Sequence, residues 1–540
     1  MPLLETVIHY SLVLGVVLAI PMIAALGLQV LILGTQSHQA STRQHVASLT
    51  RPDTREHPVY YVGFFHPYAN AGGGGERVLW TMIKAIQDKY PFVVCVIYAG
   101  DSTSLIDLVR GAQSKFGLRI NKDTLHVIEL TRRSWVEHKY ERMTLLLQSV
   151  ASVVLAAEAL HVFVPHVFVD TVGFAFTYPL VSLLSSRIPV VSYTHYPTIS
   201  SDMQTLVSSR EAGVSNDTVV ANSRALTELK SVYYRGMATA YAFAGSFAST
   251  VMTNSTWTHN HIVKLFGIPR MTRVVYPPCD TTALAQFPLD ERKNIIVSLA
   301  QFRPEKNHEL QIDAFAMFLD ANPEHKMPAG AKSIKPADIL ALRVEPEYPV
   351  LVMLGGARNI EDEARAEALR QKAEARGIGR QVHVIVNAEW SDVQSWLRIG
   401  RVGIHTMRDE HFGINIVEMM AAGLLTVAHD SAGPRMDIIT PAIRCASNGE
   451  PSIPTEADAQ AYLKSPDNAE FPVGMVATTA AEFAQMIEFA LRVTGPVERA
   501  LQEAARSVAT TKFSEAAFNT AFYSRFGPVI RWLDIQRSDD

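Results

Sequence analysis

The chain has 540 residues and a formal net charge of -4, so its length predicts two or three domains of typical size. Because basic residues do not outnumber acidic ones, the charge excludes non-specific nucleic-acid binding, which requires a positively charged surface. The three cysteines, Cys95, Cys279 and Cys445, lie far apart, which argues against a disulfide framework and against a cysteine zinc site.

The first element is an apolar segment long enough to cross a membrane. No Asp, Glu, Lys or Arg occurs from Thr6 to Thr42, and Val7 to Leu33 is almost wholly apolar. A helix of about 20 residues spans a bilayer, whereas the apolar region of a cleaved signal peptide has roughly 7 to 15 residues. Arginines follow the segment, beginning with Arg43, which favours a cytoplasmic location for the rest of the chain. We therefore expect residues 1–36 to be a retained, single-pass anchor.

An alternation of strands and helices begins after a polar connector. Val59–Phe65 and Phe92–Gly100 read as buried strands with an amphipathic helix between them, which is a βαβ unit of a parallel sheet. Further strands are predicted at Val162–Val169, Pro189–Tyr193, Phe247–Asn254 and Thr272–Tyr276. We expect a first Rossmann-like domain, the acceptor domain, at residues 57–280, with its end at the two prolines after Tyr276.

A second alternation follows at residues 281–500. Its predicted strands are Ile295–Gln301, Val350–Leu354, Val382–Val386, Val402–Thr406 and Leu425–His429. Two stretches, His325–Tyr348 and Ala446–Pro472, interrupt it as surface insertions. Aromatic residues at helical spacing predict a C-terminal helix in residues 501–540 that packs across both domains. The expected fold is α/β, with two doubly wound Rossmann-like domains facing a central cleft.

A glycine-rich loop joins the first predicted strand to the first helix. It reads A-G-G-G-G-E from Ala71 to Glu76, and backbone amides at such a position can approach an anionic or sugar ligand closely. Gly73 and Gly74 are therefore candidate donor contacts, although a tight turn without ligand remains open. The dinucleotide pattern G-x-G-x-x-G fails because Arg77 occupies its last glycine, which argues against a hydride-transfer enzyme.

Two cations follow the first strand of the second domain. Arg303 and Lys306 lie in the stretch S-L-A-Q-F-R-P-E-K-N, and together they can hold a diphosphate leaving group without a metal. The sequence offers no D-x-D pair in a setting suited to a divalent ion, so we expect neither a metal nor another cofactor. Solvated surface residues are the alternative interpretation of these two cations.

Other candidates face the acceptor or the membrane. His195, in Y-T-H-Y-P, follows a predicted strand and can contact the transferred sugar, unless it is a structural histidine. Asp170 also follows a strand and can reach the acceptor, or it can cap a helix. Arg132 and Arg133 stand near the start of Leu130–Leu155, which becomes a long apolar run. Such a pattern suits an anionic membrane surface, and an ordinary core helix with a charged end is the alternative.

Two carboxylates flank the start of a helix in D-E-H-F-G-I-N-I-V-E-M-M-A-A-G. Glu410 and Glu418 are separated by seven residues. Gly413 and Ile414 open the helix, where free N–H groups suit a diphosphate. Glu418 can accept hydrogen bonds from a ribose diol, and Glu410 would face the sugar.

This signature resembles that of the retaining GT-B glycosyltransferases, the group that includes glycogen synthase and many mannosyltransferases. Together with G-G-G-G-E-R, Y-T-H-Y-P, N-S-T-W-T, Q-F-R-P-E-K-N-H and L-G-G-A-R-N, it resembles the GDP-mannose-dependent α-1,2-mannosyltransferases of the asparagine-linked glycosylation pathway. The resemblance implies that Glu410 binds mannose hydroxyls, that Glu418 binds the ribose, and that Arg303 and Lys306 bind the diphosphate. The leaving phosphate itself would deprotonate the acceptor.

The resemblance also implies substrates and a location. GDP-mannose would donate two mannoses in sequence, with retention, to convert Man3GlcNAc2 into Man5GlcNAc2 on dolichol diphosphate at the cytoplasmic face of the endoplasmic reticulum. Membrane lipids and other mannosyltransferases of the pathway are expected partners, and nucleic acid is not. Two alternatives remain: a GT-B enzyme that uses a UDP-sugar, because no short motif reads guanine, and a membrane-bound binding subunit without turnover.

Overall fold

The computed structural model describes residues 39–538 except 56, 138–139, 141–142, 200–223, 291, 329, 333, 342–345, 446–449 and 467–469. The predicted anchor, residues 1–36, lies outside the described residues. The chain divides into two compact units. Unit 1 comprises Met1–Asn254, Thr258–Val275 and Asn519–Asp540, and unit 2 comprises Ser255–Trp257 and Tyr276–Phe518.

Unit 1 is built on a seven-stranded sheet with the strand order β3-β2-β1-β4-β5-β6-β7, and its strand pairs run parallel. The strands are β1 Tyr60–Phe65, β2 Val93–Ala99, β3 Leu125–Glu129, β4 Val167–Asp170, β5 Val190–Thr194, β6 Thr250–Thr253 and β7 Thr272–Val274. The central strands β1, β2 and β4 are buried along their whole length, as expected for a parallel sheet covered on both faces. The strand order reverses between β1 and β4.

Helices connect these strands. They are α1 Gly74–Lys89, α2 Leu105–Phe116, α3 Thr144–Val162, α4 Tyr178–Leu184, α5 Arg224–Gly245 and α6 Thr256–Phe266. Residues 39–49 are also helical. Helix α1 buries the apolar face that its sequence predicts, which includes Val78, Met82 and Ile86.

Unit 2 contains a six-stranded sheet with the order β10-β9-β8-β11-β12-β13, again with parallel pairs. The strands are β8 Lys293–Leu299, β9 Val350–Gly355, β10 Val382–Val386, β11 Gly400–His405, β12 Leu425–His429 and β13 Met475–Ala477. Here the order reverses between β8 and β11. One apolar core includes the strand interiors and the helices on both faces.

The remaining helices follow in chain order. They are α7 Thr281–Leu284, α8 His308–Ala321, α9 Pro336–Leu340, α10 Ile360–Ala375, α11 Trp390–Ile399, α12 Ile414–Ala422, α13 Glu456–Lys464, α14 Ala480–Arg492, α15 Gly495–Lys512 and α16 Glu515–Ser538. Short 3-10 turns lie at Lys122–Thr124, Arg133–Val136, Ala175–Thr177, Pro304–Lys306, Pro323–His325 and Gly379–Gln381, and a π-turn at Pro434–Ile438. Most of α16 belongs to unit 1, where the Tyr523 hydroxyl donates to the carbonyl oxygen of Ala85 at 2.9 Å.

The prediction of two doubly wound parallel sheets is confirmed. The predicted strand Val162–Val169 starts too early, because helix α3 continues to Val162 and the strand begins only at Val167. The predicted insertions contain the short helices α9 and α13.

One helix among the described residues, α3, is long and apolar enough to cross a membrane by length and composition. Leu155, Ala156 and Ala159 of this helix are completely buried in the core of unit 1. One side of α3 is therefore packed in the protein core, as in a core helix.

Candidate active site

The carboxyl ends of β8 and β11 form the point in unit 2 where the strand order reverses. Ligands of doubly wound sheets bind in the crevice outside such a point. Ser298 in β8 is paired with Ile404 in β11, so the loops after the two strands leave the sheet side by side. The first loop carries Lys306 and the second carries Glu410. The register of two strands therefore brings together residues more than 100 positions apart, as their separation of 104 shows.

Glu410 lies in a nearly closed pocket with two nitrogen atoms against one of its oxygens. Lys306 Nζ donates to Glu410 Oε2 at 2.5 Å, and His405 Nε2 lies 3.1 Å from the same oxygen. The Lys306 and Glu410 side chains are only 19% and 12% exposed. Asn415 Nδ2 in turn lies 2.9 Å from His405 Nδ1. The predicted sugar-binding carboxylate and the predicted phosphate-binding lysine are therefore in direct contact.

The protonation states of this cluster follow from burial and charge. Burial alone would raise the pKa of Glu410, but the Lys306 ammonium and the hydrogen bond from His405 outweigh it and lower that pKa far below its usual value. Burial lowers the pKa of His405, against the opposing effect of Glu410. The surroundings thus favour the charged form of Glu410 and the neutral form of His405.

The start of helix α12 borders this pocket. Gly413 precedes the helix with φ of 110°, and no side chain of the described residues caps it. A side chain at this position would be strained and would also meet Ile416 at 2.7 Å. The N–H groups of Ile414 and Asn415 precede the first hydrogen bonds of the helix, which Ile416 and Val417 donate to the Gly413 carbonyl oxygen at 3.0 and 3.3 Å. The first N–H groups of a helix suit an anion. Glu418, one turn further along, is 9% exposed.

A second arginine accompanies Arg303. Arg303 forms an ion pair with Glu305 at 3.7 Å. Burial, and then the nearby charge of Arg358, lower the pKa of the Arg303 guanidinium. Arg358 comes three residues after β9, in the motif L-G-G-A-R-N. Two like charges near each other at the carboxyl edge of the sheet favour an anionic ligand, which would relieve their repulsion.

Aromatic stacking fixes the loop that carries Glu410. The next residue, His411, stacks on Trp257 with ring centroids 5.3 Å apart, and Phe412 stacks on Tyr276 at 5.8 Å. Gly433 donates its N–H to the carbonyl oxygen of Glu410 at 3.0 Å. A Cβ on Gly433 would meet the His411 carbonyl oxygen at 2.6 Å, so this close approach requires glycine. The loop geometry is thereby set by packing before any ligand binds.

The glycine-rich loop of unit 1 is tied to a buried histidine. Gly73 is the N-cap of α1, and Gly74 is its first residue. Glu76 Oε2 accepts a hydrogen bond from Gly73 N at 2.7 Å, while its other oxygen lies 3.5 Å from His66 Nε2. His66 Nδ1 contacts the Thr171 hydroxyl at 2.7 Å. Since His66 follows β1 and Thr171 follows β4, this network lies where the strand order of unit 1 reverses.

His195 lies against the same loop. A Cβ added to Gly75 would be 3.6 Å from His195 Nε2, so the imidazole and the glycine loop share one surface of unit 1. His195 is half-buried and follows β5 directly. The structure thus places His195 close to Gly73 and Gly74.

Asp170, which the sequence offers as an acceptor contact or a helix cap, is enclosed by its neighbours. Its side chain is completely buried, one oxygen accepts the N–H groups of Val172 and Gly173 at 2.9 and 3.0 Å, and the other accepts the Tyr178 hydroxyl at 2.7 Å. Burial raises its pKa, against these hydrogen bonds. Its contacts are those of a residue that shapes the turn after β4.

Arg132 and Arg133 form ion pairs within unit 1. Arg132 lies 3.4 Å from Glu158, and Arg133 lies 2.8 Å from Asp101 and 3.5 Å from Glu137. Acidic neighbours therefore offset much of the positive charge that the sequence placed here.

Sequence reasoning did not identify His405, Asn415 or Arg358 as site residues. His405 is the last but one residue of the predicted strand Val402–Thr406, and Arg358 lies four positions after the predicted strand Val350–Leu354. The carboxyl ends of predicted strands were therefore the available signal. Within the described ranges, no group of three or more His, Cys, Asp or Glu residues is arranged to hold a metal ion.

The chain is similar to known proteins along most of its length. Residues 59–266 match the family described as ALG11 mannosyltransferase N-terminus, and residues 280–462 match glycosyl transferases group 1. A Dictyostelium discoideum protein named GDP-Man:Man(3)GlcNAc(2)-PP-Dol alpha-1,2-mannosyltransferase is 38% identical, over 87% of this chain and 85% of that protein. The human protein of the same name is 37% identical, over 86% of both chains.

Solved structures show the same fold at low sequence identity. HepE from Anabaena, in complex with UDP and glucose, has a TM-score of 0.54 and 14% identity, and the match covers 87% of this chain and all 100% of that one. Sucrose-phosphate synthase from Thermosynechococcus elongatus has a TM-score of 0.54 and 13% identity, over 88% and 100% of the chains. The architecture is that of GT-B glycosyltransferases.

Proposed function

The chain belongs to the GDP-Man:Man(3)GlcNAc(2)-PP-Dol alpha-1,2-mannosyltransferase family, and from that premise we propose that it transfers mannose from GDP-mannose, with retention, to an oligosaccharide on dolichol diphosphate. Two α-1,2-linked residues are added in sequence, from Man3GlcNAc2 to Man5GlcNAc2. The observation that carries the proposal is the contact between Lys306 and Glu410 at 2.5 Å, next to the uncapped start of α12.

Unit 2 binds the donor in this proposal. Arg303 and Lys306 bind the diphosphate together with the first N–H groups of α12, so positive charge meets the leaving group as its negative charge grows. Glu410 accepts hydroxyls of the mannose, because its lowered pKa keeps it an acceptor. Glu418 accepts the hydroxyls of the ribose.

The transfer step needs no protein base in this proposal. The bond between mannose C1 and the phosphate oxygen breaks, and a bond from C1 to the acceptor oxygen forms on the same face. The acceptor proton passes to the departing phosphate, and GDP leaves. Glu410 is a poor general base, because a carboxylate with a strongly lowered pKa holds a proton weakly.

The remaining assignments concern unit 1 and the acceptor. Gly73 and Gly74 stay candidate donor contacts and His195 a candidate contact of the transferred sugar, and the three residues share one surface of unit 1. A lipid-linked acceptor requires an enzyme held at a membrane, which the apolar segment Val7–Leu33 would provide. We place the catalytic units on the cytoplasmic face of the endoplasmic reticulum, where they would meet other mannosyltransferases of the pathway.

A transfer assay with several donors tests the function. The purified full chain is incubated with Man3GlcNAc2 on dolichol diphosphate and with GDP-mannose, UDP-glucose or UDP-N-acetylglucosamine, and the glycan mass is measured. We expect gains of one and then two hexoses from GDP-mannose alone. A gain from a UDP-sugar would replace the donor assignment, and no gain from any donor would favour a binding subunit without turnover.

A further inference from the structure

His405 connects the mannose-binding carboxylate to the protein interior. It is the last residue of β11 and only 1% exposed. One ring nitrogen faces Glu410 Oε2 at 3.1 Å and the other faces Asn415 Nδ2 at 2.9 Å. The imidazole is thus held at both ends inside the pocket.

The hydrogen bonds of Asn415 determine which nitrogen of His405 carries the proton. Asn415 Nδ2 also donates to the carbonyl oxygen of Leu299 at the end of β8, and a carbonyl can only accept. The amide NH2 group therefore faces His405 Nδ1 as well, which makes Nδ1 the acceptor. In a neutral imidazole the proton is then on Nε2, and Nε2 donates to Glu410.

Two donors restrict the rotation of a carboxylate more than one donor does. The last torsion of a glutamate side chain has a broad energy profile, so the Lys306 contact alone does not set the plane of the carboxylate. Lys306 and His405 both donate to Oε2. Oε1 of Glu410 is then the oxygen that remains to accept a substrate hydroxyl.

We propose that His405 and Asn415 are positioning residues for sugar transfer: they orient the carboxylate of Glu410 so that Oε1 meets a hydroxyl of the transferred mannose. The inference rests on the proposed function, because it refines the donor sugar subsite. Neither side chain touches the substrate in this arrangement. Loss of this orientation is expected to lower kcat by about 10²-fold, the effect of misplacing a positioned group by roughly 1 Å.

Matched substitutions separate positioning from folding. In His405→Gln, the amide nitrogen can still donate to Glu410 and the amide oxygen can still accept from Asn415. In His405→Leu, the volume is similar and both hydrogen bonds are lost. The variants are compared by mannose transfer from GDP-mannose and by the calorimetric Kd for GDP, which lacks the mannose. We expect His405→Gln to remain within about threefold of wild-type kcat, and His405→Leu to lose about 10²-fold, with unchanged Kd for GDP.

Asn415→Asp provides a second way to remove the hydrogen bond from His405 to Glu410. A carboxylate cannot donate to His405 Nδ1, so the proton moves to that nitrogen and Glu410 loses the hydrogen bond from His405 while it keeps the one from Lys306. We expect a kcat loss similar to that of His405→Leu, and no further loss when both substitutions are combined, because they break one chain of hydrogen bonds.

Three results would overturn the inference. The first is equal activity of His405→Gln and His405→Leu, the second is additive losses in the double variant, and the third is a weakened Kd for GDP that accounts for the whole defect. An inactive wild type would overturn the proposed function and this inference with it. An active wild type with any of those three results overturns this inference alone.

Discussion

Glu410 is a charged side chain in a pocket that excludes most water, and its neighbours supply what solvent would otherwise provide. An unpaired buried carboxylate would take up a proton. Lys306 and His405 prevent this by donating to it, and they lower its pKa. In the proposed function, these contacts preorganise the carboxylate to accept hydrogen bonds from hydroxyls of the mannose.

Substitutions of the two glutamates are expected to change different quantities, turnover for Glu410 and GDP binding for Glu418. Glu410→Gln should lower kcat by about 10² to 10³-fold with little effect on the Kd for GDP, because its hydroxyl contacts matter at the reacting sugar. Glu418→Gln should weaken GDP binding by roughly 1.5 to 3 kcal/mol, the contribution of hydrogen bonds to a charged group. Turnover assays and calorimetry with GDP measure the two effects.

Glu367→Gln is the matched control. The Glu367 side chain is 56% exposed on α10, and within the described part of the chain its ion pair is with Arg370. It should change neither quantity. Small and equal effects of Glu410→Gln and Glu418→Gln would contradict the assignment of both roles.

The two glutamates could be predicted from the sequence, but His405, which lies between Glu410 and the protein interior, could not. A fixed spacing across a loop and a helix start marks Glu410 and Glu418, and Lys306 follows a recognisable strand. His405 has no such pattern, since its role depends on a neighbouring strand and on the amide of Asn415. Pairing of β8 with β11 creates that arrangement, and pairing is not visible in a local pattern.

At the scale of elements, two strands escaped prediction, and both are edge strands. β3 and β13 each end a sheet. β3 reads L-H-V-I-E and β13 has only three residues, so neither shows the continuous apolar run that marks a strand buried on both faces. The interior strand β12, Leu425–His429, matches its prediction because burial on both faces dictates its composition.

Asp437 holds the short segment Ser255–Trp257 to the rest of unit 2. Its carboxylate accepts from the N–H of Thr256 at 2.8 Å, from the Thr256 hydroxyl, and from the Tyr276 hydroxyl at 2.8 Å. The side chain is 1% exposed. Because Trp257 stacks on His411, this carboxylate also supports the loop that carries Glu410.

Asp437→Asn should therefore destabilise unit 2. The new amide group turns an acceptor into a donor opposite buried donors, which costs about 1 to 3 kcal/mol. The thermal midpoint should fall by about 2 to 4 °C for each kcal/mol, measured by intrinsic fluorescence of the full chain in detergent. Asp320→Asn, at a side chain that is 64% exposed, should leave the midpoint unchanged. Equal midpoints for both variants would show that Asp437 has no such role.

At the scale of the whole molecule, the chain does not divide into units in simple sequence order. Ser255–Trp257 belongs to unit 2 although both flanking segments belong to unit 1, and Asn519–Asp540 returns to unit 1. A sequence pattern shows two doubly wound sheets, because each has its own alternation of strands and helices. The pattern can place domain boundaries only as positions in the sequence, such as 57–280 and 281–500. Packing decides to which unit a later segment such as Asn519–Asp540 belongs.

Family membership and fold together make the stereochemistry of transfer the central claim. The proposed function is that of a retaining enzyme, in which the new bond would form on the face that the leaving group occupied. The α linkage of GDP-mannose should therefore persist in the product, and the site of attachment should be the 2-hydroxyl of the acceptor mannose.

One measurement tests this claim most directly. Man3GlcNAc2 on dolichol diphosphate is extended with GDP-mannose labelled with carbon-13 at C1, and the product is analysed by its one-bond carbon–proton coupling at C1 and by α-1,2-mannosidase digestion. We predict two labelled residues in the α configuration, both released by the mannosidase. A β coupling, or labelled mannose that resists the α-1,2-specific enzyme, would contradict the account.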